Sequence, residues 1–394
     1  PSAWRWLICL CLLSSFERDQ AAAFPDLGNF LDSLKTLRQE GWLPAESLRP
    51  LVIQNSRKAN IGFNIAPLSG KSETSSHYKS LPFPAAIDTL SNLVLGFRST
   101  TEHILVIDGL DDLIIDGQQQ WDVLSALIDA VDRLNLELFQ SEVEAKVLVM
   151  CRTDIFDRLP GSNTTKIRRD SSLSLNWYQD IKTPRNSHLI HMANKKASAH
   201  HPADTDVFNQ FLPQNMRLKS GHSFDMAAYL LDYTRHTPRD FLQLLEYIAA
   251  ACRETATRHQ VPKALIESAV HNYSAEYFVG EIRNQLNGLL TADEIDLTKR
   301  LLRGLRRNRF YLHELEQKVR KSTQYSGLNL QHVIERLFDA GIVGNIVGGR
   351  SATESYIRFR YRNPHQDADF DMQLVLHNAI INGFNIPRST SGPL

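Results

Sequence analysis

The sequence predicts an α/β fold with a parallel sheet, on the basis of two short apolar runs and the amphipathic segment between them. Ile104–Ile107 is apolar without alternation, which is typical of a strand buried on both faces of a parallel sheet. A second apolar run lies within residues 146–152, and Trp121–Leu138 has apolar residues at helical spacing. This strand–helix–strand order predicts a crossover unit with two parallel strands.

An acidic cluster follows the first run: Asp108 comes directly after it, and Asp111 and Asp112 come shortly afterwards. Ligands of open α/β sheets bind at the carboxyl edge, where Asp108 is expected. A hard dication such as Mg²⁺ prefers carboxylate and water oxygens. Asp108 is therefore a candidate metal ligand. The alternative is a simple Asp-Gly turn after a buried strand, since both residues favour turns for conformational reasons.

Arg152 ends the second run and is expected at the same sheet edge as Asp108. An arginine there can contact a phosphate group and stabilise the charge that develops during phosphoryl transfer. The alternative is an ordinary salt bridge with Asp154 or Asp157, and the sequence leaves both interpretations open.

Three motifs together resemble those of the STAND class of P-loop ATPases, a signalling or defence class that includes NACHT proteins. Asp108-Gly-Leu-Asp-Asp112 is similar to the Walker B motif, and Val147-Leu-Val-Met-Cys-Arg152 resembles the sensor strand. Thr234-Arg-His-Thr-Pro-Arg-Asp-Phe-Leu242 is similar to the lid motif in which arginine acts as the second sensor. The resemblance covers roughly residues 90–290.

The resemblance implies a P-loop NTPase core that uses ATP and Mg²⁺. Asp108 would be the Mg²⁺-associated acid, Asp111 and Asp112 would polarise water, and Arg152 and Arg239 would sense the phosphates. Proteins of this class act as switches and often form homo-oligomers.

The lid motif also has a purely structural interpretation. Thr237 is a good N-cap and Pro238 suits the first helical turn. An apolar face at helical spacing follows, so a helix is predicted from this point whether or not Arg239 binds an anion.

The chain departs from the class because it has no Gly-x-x-x-x-Gly-Lys-Ser/Thr loop, whose amides and lysine would hold the phosphates. Gly70-Lys71-Ser72 imitates the end of that motif, but Ile65 stands where its first glycine belongs. The expectation is a phosphate loop upstream of Pro1. The apolar run from Trp4 then belongs to a buried helix; the alternative is a signal peptide.

The C-terminal third predicts three helices, at Asp293–Arg307, His313–Lys321 and Leu330–Ala340. Strands at Ile342–Val347 and Tyr356–Tyr361 flank a Gly-Gly turn, which completes a winged-helix pattern. The expected organisation is a truncated ATPase core over residues 1–185, a helical lid over 186–288, a winged-helix domain over 289–363 and a partly disordered tail over 364–394.

Further elements are expected around the core sheet. Asn29–Gln39 and Ile87–Leu95 are predicted helices, and Leu51–Phe63 is expected to contain an edge strand. Strict alternation of apolar residues over Ser171–Tyr178 predicts another strand that could close the sheet.

Composition is typical of a cytoplasmic globular protein, with 44 basic and 44 acidic residues and no apolar run of membrane-spanning length. Neutral net charge argues against a broadly basic nucleic-acid surface. Locally, Arg300, Arg303, Arg306, Arg307 and Arg309 are candidates for DNA contacts, with Arg358, Arg360 and Arg362 on the wing. The first hypothesis is a regulatory ATPase module; the alternative is a non-hydrolysing DNA-binding or scaffolding protein.

Overall fold

The chain forms two compact units, Pro1–Leu173 and Ser174–Leu394, and each has its own hydrophobic core. The structure is a computed structural model that describes residues 2–39, 63–64, 80–81, 83–110, 118–161, 163–179, 183–199, 206–217, 221, 223–256, 260–286, 289–325, 327–348, 356–363 and 365–387.

The first unit contains a parallel two-stranded sheet with helices packed against it. In chain order its elements are α1 Ser2–Phe16, α2 Leu27–Gln39, β1 Phe63–Asn64, β2 Ser80–Leu81, α3 Phe83–Gly96, β3 His103–Ile107, α4 Gln118–Gln140, β4 Ala145–Val149, α5 Thr153–Phe156 and α6 Thr164–Ser171. The short strands β1 and β2 pair antiparallel with each other.

Helix α1 is the buried helix expected from the N-terminal apolar run. Cys9, Leu10 and Leu13 have no exposed surface, and the helix packs against α3, α4 and β3. Arg5 pairs through both Nη atoms with the carboxylate of Glu137 on α4. No helix in the described part of the chain is long and apolar enough to cross a membrane.

Strands β3 and β4 are parallel and in the expected order, with α4 as the crossover between them. The register pairs Ile107 with Val149, so both strands end at the same edge. The prediction of strands buried on both faces is wrong. Leu105 and Val147 face the core, whereas Ile104 and Val106 on the other face are 60% and 54% exposed, because the described helices cover one face only.

The side chain of Asn135 on α4 bonds to the edge of β4 that faces away from β3. Its amide nitrogen donates to the carbonyl oxygen of Val147 at 2.9 Å, and its amide oxygen accepts from the Val147 N–H at 2.8 Å. A side chain thus takes the place that a neighbouring strand would occupy at this position.

The strand predicted over Ser171–Tyr178 does not exist. Helix α6 includes Ser171, and residues 172–179 have no regular structure. Leu173 and Leu175 are exposed, so their alternation does not reflect a buried sheet face. Trp177 packs against the core of the second unit.

The second unit begins with a helical part. Its elements are α7 His188–Ser198, α8 Val207–Gln210, β5 Asn215–Arg217, β6 Ser223–Asp225, α9 Met226–Leu231, α10 Pro238–Glu254, α11 Lys263–Asn272 and α12 Val279–Leu286, with a π-helical stretch at Tyr273–Phe278 between the last two. Helix α10 starts as predicted: the Thr237 hydroxyl accepts from the Asp240 N–H, Pro238 occupies the first turn, and Phe241, Leu244 and Ile248 are buried.

The remainder of this unit combines helices with a four-stranded antiparallel sheet of order β7-β10-β8-β9. The elements are α13 Ala292–Arg303, β7 Arg309–Phe310, α14 Leu312–Arg320, α15 Leu330–Asp339, β8 Val343–Val347, β9 Tyr356–Arg358, β10 Leu374–Leu376 and α16 Asn378–Gly383. The three expected helices and both expected strands are present. The sequence did not predict β10, which lies between β7 and β8.

Other predicted elements are also present. The helices expected at Asn29–Gln39 and Ile87–Leu95 are α2 and α3. Most of Leu51–Phe63, together with Gly70, Lys71 and Ser72, lies outside the described residues.

Candidate functional site

Asp108 and Arg152 follow the carboxyl ends of the two parallel strands, as the sequence predicts. The ladder extends past the strands through a bond from the Met150 N–H to the Ile107 carbonyl at 2.8 Å. The chain then leaves β3 through Asp108 and β4 through Cys151 and Arg152. The two side chains therefore belong to the ends of adjacent strands.

Asp108 is exposed, and its side chain bonds to the backbone of the next residue. Its Oδ1 accepts the N–H of Gly109 at 2.8 Å, and Gly109 has a φ of 77°, a left-handed conformation that glycine adopts without strain. The bond and the left-handed glycine are local features typical of an Asp-Gly sequence. The Asp108 carboxylate lies in solvent, where it can bind a cation.

Arg152 makes the salt bridge that was the alternative to phosphate contact. Its Nε and Nη2 donate to the two carboxylate oxygens of Asp154 at 3.0 and 2.7 Å. Asp157, the other predicted partner, pairs with Arg168. Any phosphate that binds Arg152 has to compete with a bidentate carboxylate.

The remaining predicted site residues lie in the second unit or outside the described residues. Asp111 and Asp112 lie outside the described residues. Arg239 is exposed in the first turn of α10, which belongs to the second unit. Within the described ranges, no group of three or more His, Cys, Asp or Glu side chains could hold a metal ion.

The fit to ATP and Mg²⁺ is therefore partial. Asp108 supplies an exposed carboxylate of the kind that Mg²⁺ accepts alongside waters and phosphate oxygens. A glycine-rich phosphate loop is not present among the described residues, and Gly70-Lys71-Ser72 falls outside them.

The segment around Arg239 contains a buried ion pair that the sequence did not reveal. Arg235 donates from its Nε and Nη2 to the two oxygens of Asp240 at 2.8 Å each, and its backbone N–H bonds to the same carboxylate. Burial raises the pKa of Asp240, but Arg235 outweighs this effect and holds the pKa below its usual value. Tyr277 also donates to Asp240, at 3.2 Å.

Two buried histidines adjoin this pair. His377 donates from Nε2 to the Thr234 carbonyl at 3.1 Å and accepts the Ala379 N–H at Nδ1, so it caps α16 in the neutral form. Burial lowers the pKa of His377 to about 3. His236 has a φ of 53° and packs between the rings of Tyr178 and Tyr361.

His236 is the more unusual of the two. Neither of its ring nitrogens has a hydrogen-bond partner. Burial, with smaller contributions from Arg362 and His377, lowers the pKa of His236 to about 3. These histidines tie the Thr234–Asp240 segment to the C-terminal sheet and to α16. In the sequence, His236 is simply a polar residue just before the start of a predicted helix. Polar residues are common at that position, so the sequence gives no sign that His236 is buried.

No protein-family model, curated protein or solved structure matches this chain.

Proposed function

We propose that the chain is a regulatory module of a P-loop ATPase in which nucleotide binding is coupled to rearrangement of a helical lid and a winged-helix domain. One observation carries the proposal: a parallel strand–helix–strand unit has an exposed aspartate directly after one strand and an arginine after the next. This is the carboxyl edge at which α/β proteins bind ligands. Mg²⁺ at this edge would neutralise phosphate charge.

In this proposal Asp108 contributes an oxygen ligand to the metal, directly or through water. Asp111 and Asp112 orient the attacking water, and Arg152 and Arg239 contact the phosphates. Arg152 is paired with the Asp154 carboxylate in the structure. In the proposal it exchanges this partner for a phosphate when nucleotide binds. The proposed setting is cytoplasmic, with nucleotide as the ligand and a homo-oligomer as the assembled form.

The first experiment is equilibrium binding of a fluorescent ATP analogue to the full chain, with Mg²⁺ and with EDTA. Binding is expected to require Mg²⁺, and Asp108→Asn is expected to weaken it about tenfold or more, since a charged metal ligand is lost. The matched control is Asp122→Asn, which changes an exposed aspartate on α4. Wild-type binding that EDTA and Asp108→Asn both leave unchanged would contradict the proposal.

The second experiment concerns Arg152. Asp154→Ala removes the competing carboxylate, so ATP is expected to bind more tightly, whereas Arg152→Ala is expected to weaken binding. If Arg152 serves only the salt bridge, the two variants will bind ATP equally well.

The alternative function, DNA binding through the winged-helix domain, has weaker support. Several of the arginines that suggested it have partners within the chain: Arg307 pairs with Glu314, and Arg360 with Asp367. On α15, the helix before the hairpin, Arg336 pairs with Asp339 and Glu335. A salt-dependent DNA shift that is lost in the Arg303→Glu/Arg306→Glu variant would favour this alternative.

A further inference from the structure

The four-stranded sheet of the second unit has a cavity on one of its faces. In the register, Arg309 lies opposite Val375, and Ile346 lies opposite Ile357. Directly opposed residues in antiparallel strands point to the same side, and residues two apart along a strand share a face. These side chains line a cavity of about 220 Å³. The aliphatic members of the set give it an apolar floor.

The polar part of the lining carries excess positive charge. Among the described residues of the lining, Arg309 and Arg362 are cationic and Asp232 is the one acid. Asn308 and Asn378 add amide groups, and Tyr356 lies at the outer strand. Small-ligand sites combine apolar walls with a few placed polar groups, and this lining has both.

Arg362 interacts with the Tyr361 hydroxyl and makes two further, long hydrogen bonds. Its Nη1 donates to the Ile357 carbonyl at 3.5 Å and its Nη2 to Asp232 at 3.4 Å, both at the outer limit for a hydrogen bond. Its Nε is buried and has no hydrogen-bond partner. The guanidinium instead lies over the rings of Tyr178, Phe359 and Tyr361 at 5.6 to 6.0 Å. A buried donor without an acceptor, such as this Nε, carries a free-energy cost that an additional oxygen ligand would remove.

We propose that this cavity binds a small organic anion, one with a carboxylate or phosphate group and a compact apolar body. The anionic group lies between Arg309 and Arg362, and the apolar body lies on Val375, Ile346 and Ile357. The cavity is smaller than the pockets of roughly 300–1,000 Å³ that hold drug-sized molecules, so a compact ligand fits it best. Arginine suits this task because its planar fork matches both anionic groups.

The test uses benzoate, phenyl phosphate and the neutral isostere benzamide as probes in calorimetric titrations of the full chain. At least one anion is expected to bind about tenfold or more tightly than benzamide, since a charged hydrogen bond is worth more than a neutral one. The preferred anion identifies the group that the cavity accepts. Equal affinity for all three probes, or no binding of either anion at about 10 mM, would overturn the proposal.

Variants locate the site. Arg309→Gln is expected to weaken anion binding about tenfold, and the matched control Arg306→Gln, at an exposed position outside the lining, is expected to leave it unchanged. Arg309 is preferred to Arg362 because the pair between Arg362 and Asp232 then stays intact. A second variant, Ile357→Trp, fills the cavity without changing charge and should abolish binding while far-UV circular dichroism stays the same. Binding that survives both lining variants would place the anion elsewhere.

Discussion

Arg235 and Asp240 show how a single buried pair fixes the start of α10. Asp240 has no exposed surface and accepts bonds from the Arg235 side chain, the Arg235 backbone and Tyr277. The pair lies in the protein interior, where the loss of hydration would make a single unpaired charge strongly unfavourable. The geometry is bidentate and the carboxylate oxygens are satisfied, so each partner depends on the other.

We expect Asp240→Ala to lower the free energy of unfolding by about 3–5 kcal/mol, because Arg235 is left as an uncompensated buried charge. The matched control is Glu246→Ala, which breaks the exposed pair with Arg253 and should cost less than about 1 kcal/mol. Urea denaturation of both variants measures the difference. Similar losses in the two variants would show that the buried pair has no special role.

The buried histidines make the second unit sensitive to acid. The folded-state pKa of His377 and of His236 is lowered to about 3 from an ordinary value of 6.5. A group with a depressed folded pKa takes up protons preferentially in the unfolded state. Its contribution to stability is therefore full above about pH 6.5 and is lost progressively as the pH falls towards 3.

We expect the melting temperature of this unit to fall between pH 7 and pH 4, with each histidine contributing a loss of about 1 kcal/mol by pH 5.5. His377→Asn keeps a residue that can cap α16 but removes the titrating group. The melting temperature of this variant should therefore fall less at low pH than that of the wild type. The control is His365→Asn, at an exposed position. Parallel pH curves for the wild type and His377→Asn would contradict this prediction.

At the scale of elements, β4 depends on a side chain from the crossover helix. Asn135 on α4 satisfies the N–H and the carbonyl of Val147 at the edge of the strand. Unpaired edge groups invite pairing with other chains, and proteins commonly block them. The helix therefore both covers one face of the sheet and closes this part of its edge.

We expect Asn135→Ala to lower the free energy of unfolding by about 1–3 kcal/mol, because two backbone groups lose their partner. The variant should also self-associate more readily, as the exposed edge becomes available. Gln140→Ala, at an exposed position of the same helix, is the control. Urea denaturation measures the change in stability, and analytical ultracentrifugation measures self-association. An unchanged free energy of unfolding would mean that water satisfies the Val147 backbone groups as well as the Asn135 amide does.

At the scale of the whole molecule, the chain is organised around two cores. The core of the first unit is built on α1, α3 and α4, and that of the second includes α9, α10, α15 and β10. Units of this size with their own core are commonly able to fold alone. The acid-sensitive histidines belong to the second unit only.

We therefore expect a fragment of residues 174–394 to unfold cooperatively on its own and to keep the acid sensitivity described above. A fragment of residues 1–173 should also fold, with a melting temperature that depends less on pH over the same range. Calorimetry of both fragments and of the intact chain is the measurement. A 174–394 fragment without a cooperative transition would show that its core is not self-sufficient.

Much of the local structure was determined by the sequence itself. Hydrophobic periodicity and turn residues are properties of short segments. They were therefore sufficient to predict several elements: α4, strands β3 and β4, the N-cap at Thr237 and the three helices of the C-terminal third. The left-handed conformation of Gly109 is likewise typical of an Asp-Gly sequence. The assignment of these motifs to an ATPase came from resemblance and stays a prediction.

Tertiary structure alone decided which faces are buried and which charges are paired. Ile104 and Val106 are exposed, and the strand expected at Ser171–Tyr178 is missing, because of packing with residues that are distant in the chain. The partner of Arg152 depends on a choice between nearby acids. The same holds for His377, whose bond to Thr234 joins segments far apart in sequence. The hydrophobic pattern of a sequence indicates which residues favour burial. Whether they are buried depends on the side chains that pack against them in the folded protein.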